Sequence, residues 1–138
     1  KLMEIEHLRK ANPYDLSGGE QQRLALAKVM VSNPDILLLD EPTKGLDPFF
    51  KQTLGRILRS LCKENKTIFM VSHDIEFCAE FGDRCSMFFD GEIATSGTAK
   101  EFFSGNNFYT TVENKLTRKW CEGIITGEEA RTWIRSLL

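Results

Sequence analysis

Long apolar runs are missing from this sequence. None approaches the roughly 20 residues that a spanning helix needs, and no stretch has the basic-then-apolar layout of a signal peptide. A membrane-spanning helix within these residues is therefore excluded. An excess of charge of one sign is missing too: 18 Lys and Arg face 20 Asp and Glu, a net −2. The basic residues are scattered, which argues against a nucleic-acid or anionic-lipid surface. The four cysteines, Cys62, Cys78, Cys85 and Cys121, show no CxxC pair and no regular spacing. Idle reduced thiols explain them better than a metal site or a disulfide framework. There is no internal repeat and no low-complexity segment. A hydrophobic content of 41% in 138 residues suits one globular domain at most. The first residue is Lys1 rather than methionine, so the sequence reads as a piece of something longer.

What is present is an alternation of helices and strands. Arg23 to Met30 (RLALAKVM) is apolar nearly all round and predicts a helix buried on most sides. Asn33-Pro34-Asp35 stops it. Ile36 to Leu39 reads as a parallel strand covered on both faces. Asp47-Pro48 starts a helix carrying Leu54, Ile57, Leu58 and Leu61 at helical spacing. Thr67 to Val71 is a second buried strand, and Asp74 caps a helix with Ile75, Cys78 and Ala79. Cys85–Phe89 and Glu92–Thr95 flank Asp90-Gly91, a two-residue hairpin turn. Thr98 and Glu101 have capping-box spacing ahead of Phe102 and Phe103. Thr126 and Glu129 repeat that spacing before a helix with Ala130, Trp133, Ile134 and Leu137 on one face, fit to cover the end of the domain or to meet a partner. The order of elements predicts an α/β layered domain with a mostly parallel sheet and a late antiparallel hairpin.

Three places along this order invite chemistry, because ligands of open α/β sheets gather outside the carboxyl ends of strands. Ser17 caps a helix that begins Gly18-Gly19, whose bare amides and helix dipole favour a phosphate. A plain helix start with two flexible glycines fits the same letters. Asp40-Glu41 is delivered to the ligand edge by four apolar residues, and side-chain alternation lets the two carboxylates serve different partners, one a hydrated Mg²⁺ and the other a water. Ser72-His73 follows the second strand, where an imidazole reaches a phosphate or a water. His7 has no such placement and reads as a surface residue.

The run LSGGEQQR, then LLLDEPTKGLD, then VSHD resembles the second half of an ATP-binding-cassette ATPase. The order is far more specific than any one motif. The resemblance implies a P-loop NTPase-like fold in which Leu16–Glu20 is the signature motif at the edge of a helical subdomain. It implies ATP and Mg²⁺ as cofactors, with Ser17, Gly18 and Gly19 at the γ-phosphate and Glu20 and Asp47 also among the nucleotide-binding residues. Asp40 would support Mg²⁺ through water, Glu41 would be the general base and His73 the γ-phosphate sensor. Asp47 of Gly45-Leu46-Asp47 would connect the two sites of a dimer. In that family the signature closes over nucleotide held by a second ATPase domain.

The family's phosphate loop, G-x-x-x-x-G-K-[ST], is not found here, and no glycine is followed directly by lysine. The chain is expected to lack a cradle for its own nucleotide and to be inactive alone. Residues 1–107 are expected to be the C-terminal half of the cassette and 108–138 an extension. EPTKGLDP, NPYDLSGGEQQRLALAKVM, FYTTVENKLTRKW and IITGEEA look most like the energy-coupling-factor ATPases that power uptake of vitamins and of cobalt or nickel. This implies a peripheral subunit on the cytoplasmic face of the membrane, bound to a transmembrane coupling subunit and not to nucleic acid. Two rivals are a nucleic-acid or ribosome-associated cassette ATPase and a module that donates its signature in trans. The first is opposed by the absence of sustained heptads and of a basic stripe.

Overall fold

Ser17 and Glu20 start the first long helix. The Ser17 hydroxyl accepts the Glu20 amide while the Glu20 carboxylate accepts the Ser17 amide, a reciprocal box that satisfies donors a helix end leaves unpaired. The computed structural model describes residues 3–105 and 109–138. The contacts divide the chain into two compact units, Lys1–His73 and Asp74–Leu138. The expected boundary between 107 and 108 lies outside the described residues.

In the first unit, short 3₁₀ turns at Glu6–Leu8 and Pro13–Asp15 lead into helix α1, Gly18–Val31. Of its apolar residues only Leu26 is buried, and Val29 and Val31 face solvent. The apolar letters predicted burial on most sides; within this chain one stripe alone finds partners. Strand β1 is Ile36–Asp40, helix α2 is Pro48–Lys63 and strand β2 is Thr67–Val71. Asp47 caps α2 by accepting the Phe50 amide at 2.8 Å, with Pro48 at the first helical position. Strands β1 and β2 pair in parallel from Ile36–Thr67 to Asp40–Val71, and α2, the connection between them, lies against β2. Leu37, Leu39, Leu46, Phe50, Leu54, Ile57 and Leu58 form the buried side. Burying each such side chain is worth about 1.5–3 kcal/mol.

The opposite face of the strand pair departs from expectation. Ile36 and Leu38 on β1, and Phe69 and Val71 on β2, are 59–77% exposed. A run of four apolar residues predicts cover on both faces, but the described residues supply it on one.

In the second unit, helix α3 (Ile75–Phe81) precedes strands β3 (Arg84–Phe89) and β4 (Glu92–Thr98), an antiparallel pair with a bulge at Met87/Phe88. Asp90 and Gly91 both have positive φ, 49° and 82°, the geometry a two-residue hairpin needs to follow strand twist. Helix α4 (Ala99–Gly105) begins at the expected Thr98–Glu101 box, and its Ala99 and Phe103 pack with Ala79 and Ile125. Helix α5 (Val112–Thr117), which no sequence signal announced, precedes α6 (Gly127–Ser136), capped by Thr126 and Glu129 as predicted. No α6 residue is fully buried; Trp133, Ile134 and Leu137 line an open groove with Leu116 and Trp120 of the α5 region. All four cysteines are free. The class is α/β, one parallel pair with its helical connection followed by an antiparallel hairpin.

Candidate active site

Strand β1 ends at Asp40, and the chain turns sharply at Glu41. Glu41 has φ +45°, a left-handed conformation that costs an ordinary side chain energy and recurs at functional sites. Four hydrogen bonds hold the turn there. Its amide donates to the Val71 carbonyl at 2.8 Å, continuing the β1–β2 ladder by one residue. Its carbonyl accepts the Lys44 amide at 3.0 Å, closing a turn. The Gln22 side chain, arriving from α1, donates to the Glu41 and Pro42 carbonyls at 3.4 and 3.3 Å.

The same turn aims the Glu41 carboxylate at the end of β2. Oε2 accepts the His73 amide at 3.3 Å and lies 3.5 Å from Ser72 Oγ, while Oε1 is 3.5 Å from His73 Nε2. Oε1 is buried and accepts no hydrogen bond. A buried carboxylate oxygen without a donor is costly, and the His73 ring, with Nε2 3.5 Å away, is the group placed to offer it one. The His73 ring is 96% exposed while the Glu41 side chain is 26% exposed, so the imidazole forms the outer edge of this pair. Asp40 is exposed beside it at the carboxyl end of β1. Glu41 and His73, 32 residues apart in sequence, are thus brought together.

The start of α1 is organised differently from the simple expectation. Ser17 Oγ donates to Glu20 Oε2 at 2.6 Å, so its proton is committed within the cap. The Glu20 carboxyl is held below its ordinary range, first by the Ser17 hydroxyl, then by the Ser17 amide, with His7 adding a weaker attraction from 3.7 Å. A Cβ at Gly18 would meet nothing within 4 Å, so no neighbouring atom demands glycine there. Gly19 is different. Its Cβ would sit 2.8 Å from the Gly45 carbonyl oxygen, so α1 rides against the 41–47 loop with no room for a side chain. Gly45 itself has φ +73°. The residues fit ATP and Mg²⁺ in part. Gly18 offers an open helix start, Asp40 an exposed carboxylate and Glu41 a buried oxygen without a hydrogen bond, while no phosphate-cradling loop is present among the described residues.

Two residues outside the expected set join these pieces. Gln22 bonds the Glu41 turn, and Arg23, the next residue, donates to Asp47 Oδ2 at 2.6 Å. Arg23 also lies 3.6 Å from Glu4 and stacks over the Phe50 ring at 3.8 Å, with only 18% of its side chain exposed. The Asp47 carboxyl is held low, first by the Phe50 amide and also by Arg23. Gln22 and Arg23 stand among other long polar side chains of α1, Glu20, Gln21 and Lys28, so composition did not single them out. Their partners lie 19 to 24 residues away, so spacing alone did not reveal them.

Residues 1–44 match the family model described as ABC transporter. An ABC transporter ATP-binding protein of Bacillus thuringiensis subsp. konkukian is 52% identical over 122 residues, covering 88% of this chain and 22% of that protein. The chain therefore spans about a fifth of the length of that curated relative. Among solved structures, the dimeric post-hydrolysis state of the ATP-binding cassette MJ0796 with ADP and Pi is 34% identical, with a TM-score of 0.67 over 71% of this chain and 43% of that one. cbiO1 from Clostridium perfringens, described as part of the ABC transporter complex cbiONQ, is 31% identical, with a TM-score of 0.65 over 86% and 46%.

Proposed function

Because the chain belongs to the ABC transporter ATP-binding family, we propose that it is the C-terminal half of an ATPase domain that powers membrane transport. The observation that carries the catalytic part is the Glu41 turn, with its unsatisfied, buried Oε1 beside His73. Glu41 is the general base: an oxygen with no donor accepts the proton of an attacking water. His73, on the exposed rim, donates to the γ-phosphate and reports its presence. Asp40 orders the water shell of Mg²⁺, and the amide at Gly18 holds phosphate from a second ATPase domain. Bound Mg²⁺ supplies charge neutralisation at the phosphates, the dominant need in phosphoryl transfer. The phosphate loop belongs to a part of the protein ahead of residue 1, a reading supported by the fraction of its relatives that the chain spans.

The transporter is of the energy-coupling-factor type, supported by the likeness to an energy-coupling factor transporter ATP-binding protein of Mesomycoplasma hyopneumoniae, 39% identical over 76% of this chain. The protein works as a peripheral subunit on the cytoplasmic face, paired with a second ATPase domain and a transmembrane coupling subunit. Among the described residues no helix is long and apolar enough to cross a membrane. ATP turnover by the full-length protein, reconstituted with its membrane partner, tests the reading. Turnover that depends on Mg²⁺ and on Glu41 is the expected result.

A further inference from the structure

We propose that Gln22 and Arg23 are positioning residues that fasten the start of α1 to the 41–47 loop, so that the phosphate-facing turn and the chain's own catalytic carboxylate move as one piece. The inference rests on the ATPase reading above. Gln22 holds both carbonyls that flank the strained Glu41 turn, and Arg23 holds Asp47 at the far end of the same loop. Between them Gly19 lies against Gly45. The loop is thus tied to α1 at its beginning, near its middle and at its end.

The Arg23 tie is the strongest of these. A 2.6 Å contact between guanidinium and carboxylate is a charge-assisted bond. The guanidinium is further fixed over Phe50, which is fully buried, so the Arg23 side chain cannot swing without losing the stack. Gln22 holds the Glu41 and Pro42 carbonyls from outside the strand ladder. In the proposed dimer the start of α1 meets the partner's nucleotide while Glu41 serves this domain's own. A rigid link between them couples the two sites, and each site senses whether the other is filled.

The test is a set of variants in the full-length protein: Gln22→Met, Arg23→Met, Arg23→Lys and Asp47→Asn. ATP affinity, kcat, the Hill coefficient for ATP and the melting temperature are measured for each. Loss of a coupling residue is expected to lower kcat by about 2- to 30-fold and to lower the Hill coefficient, with ATP affinity near wild type, in assays run well below the measured melting temperature of each variant. Arg23→Lys keeps the charge but not the fork, and should recover part of the loss. Arg23→Met combined with Asp47→Asn should lose no more than either alone, since both remove one contact. If Arg23→Met does not fold, Asp47→Asn decides, because asparagine still caps α2. Unchanged kcat in the variants alongside an active wild type would overturn the inference alone, as would fully additive losses. A wild type without turnover would overturn the ATPase reading and this inference together.

Discussion

Gly19 and Gly45 meet backbone to backbone: a Cβ on Gly19 would stand 2.8 Å from the Gly45 carbonyl oxygen. The two glycines at the start of α1 therefore do different work. Gly18 is open to whatever approaches the helix from solvent, and Gly19 is open to the protein's own loop.

This division predicts opposite outcomes for one substitution at neighbouring positions. Gly19→Ala must push against a carbonyl that cannot rotate away, and overpacking of this kind costs about 1–3 kcal/mol. Gly18→Ala meets open space and, with better helix propensity, should leave stability equal or raise it by up to about 1 kcal/mol. Chemical denaturation of the two variants separates them. If both are equally stable, the contact with Gly45 is not what demands glycine at 19. In the full-length ATPase, Gly18→Ala should lower turnover despite its stability, because the added methyl stands where phosphate approaches.

Glu41→Gln tests the base. The amide keeps the size of the carboxylate and can still meet Ser72 and the His73 amide, but it accepts a proton poorly. Loss of a general base typically lowers the rate about 10²–10⁴-fold. ATP binding should persist, so a nucleotide-bound dimer of the full-length variant should accumulate on size exclusion with ATP and Mg²⁺. Wild-type turnover in this variant would move the base elsewhere. The 138-residue chain alone is expected to show no turnover, since it lacks the loop amides and lysine that cradle nucleotide phosphates.

The capping carboxylates set a direction for pH dependence. Glu20, Glu101 and Glu129 are all held below their ordinary range. At Glu101 the cause is the Thr98 amide, then its hydroxyl. At Glu129 partial burial pushes the carboxyl up, but the Ile125 amide, Lys100 and the Thr126 amide together outweigh it. A carboxyl lowered on folding stabilises the native state above its unfolded pKa, and that contribution fades as pH falls through the folded value. Melting temperature should thus drop on acidification through and below the ordinary carboxylate range. Glu129→Gln should melt lower than wild type at neutral pH, and the gap should close in acid. A gap of constant size would assign the loss to packing rather than to charge. Thr126→Ala, which removes the other half of the box, should cost about 1 kcal/mol.

The parts of this structure legible in the sequence are those fixed by neighbours in the chain. Asp47-Pro48, Thr98–Glu101 and Thr126–Glu129 announce helices α2, α4 and α6 because a cap is a bond across three residues. Asp90-Gly91 announces its turn for the same reason. The placement of Glu41 and His73 at the ligand edge was legible because each follows a parallel strand, and parallel strands bring their ends together. Burial was less legible. Ile36 and Leu38 look like core and stand exposed, because cover for a sheet face comes from elements that β1 does not encode. The same limit hid Arg23, whose role is set by Asp47 and Phe50 on a distant helix start. Helix α5 escaped notice because Thr111 caps it without a matching acid three residues on; Asn114 stands there instead.

The transport reading makes a prediction about where the full-length protein is found. Among the described residues no helix can span a bilayer, and the sequence's net −2 charge gives no attraction to anionic lipid. Under the transport proposal, association with a membrane runs through a protein partner. Such a contact survives salt better than a lipid-charge contact, because a packed interface is screened less than exposed charges. The full-length protein should sediment with native membranes, resist release by high salt, and co-purify with a multi-span subunit from detergent extracts. Glu41→Gln should not change this, since docking and hydrolysis use different surfaces. A full-length protein that stays in the soluble fraction and comes down with DNA or ribosomes would overturn transport while leaving the ATPase chemistry standing. Release by salt alone would point to lipid charge and remove the coupling subunit from the proposal.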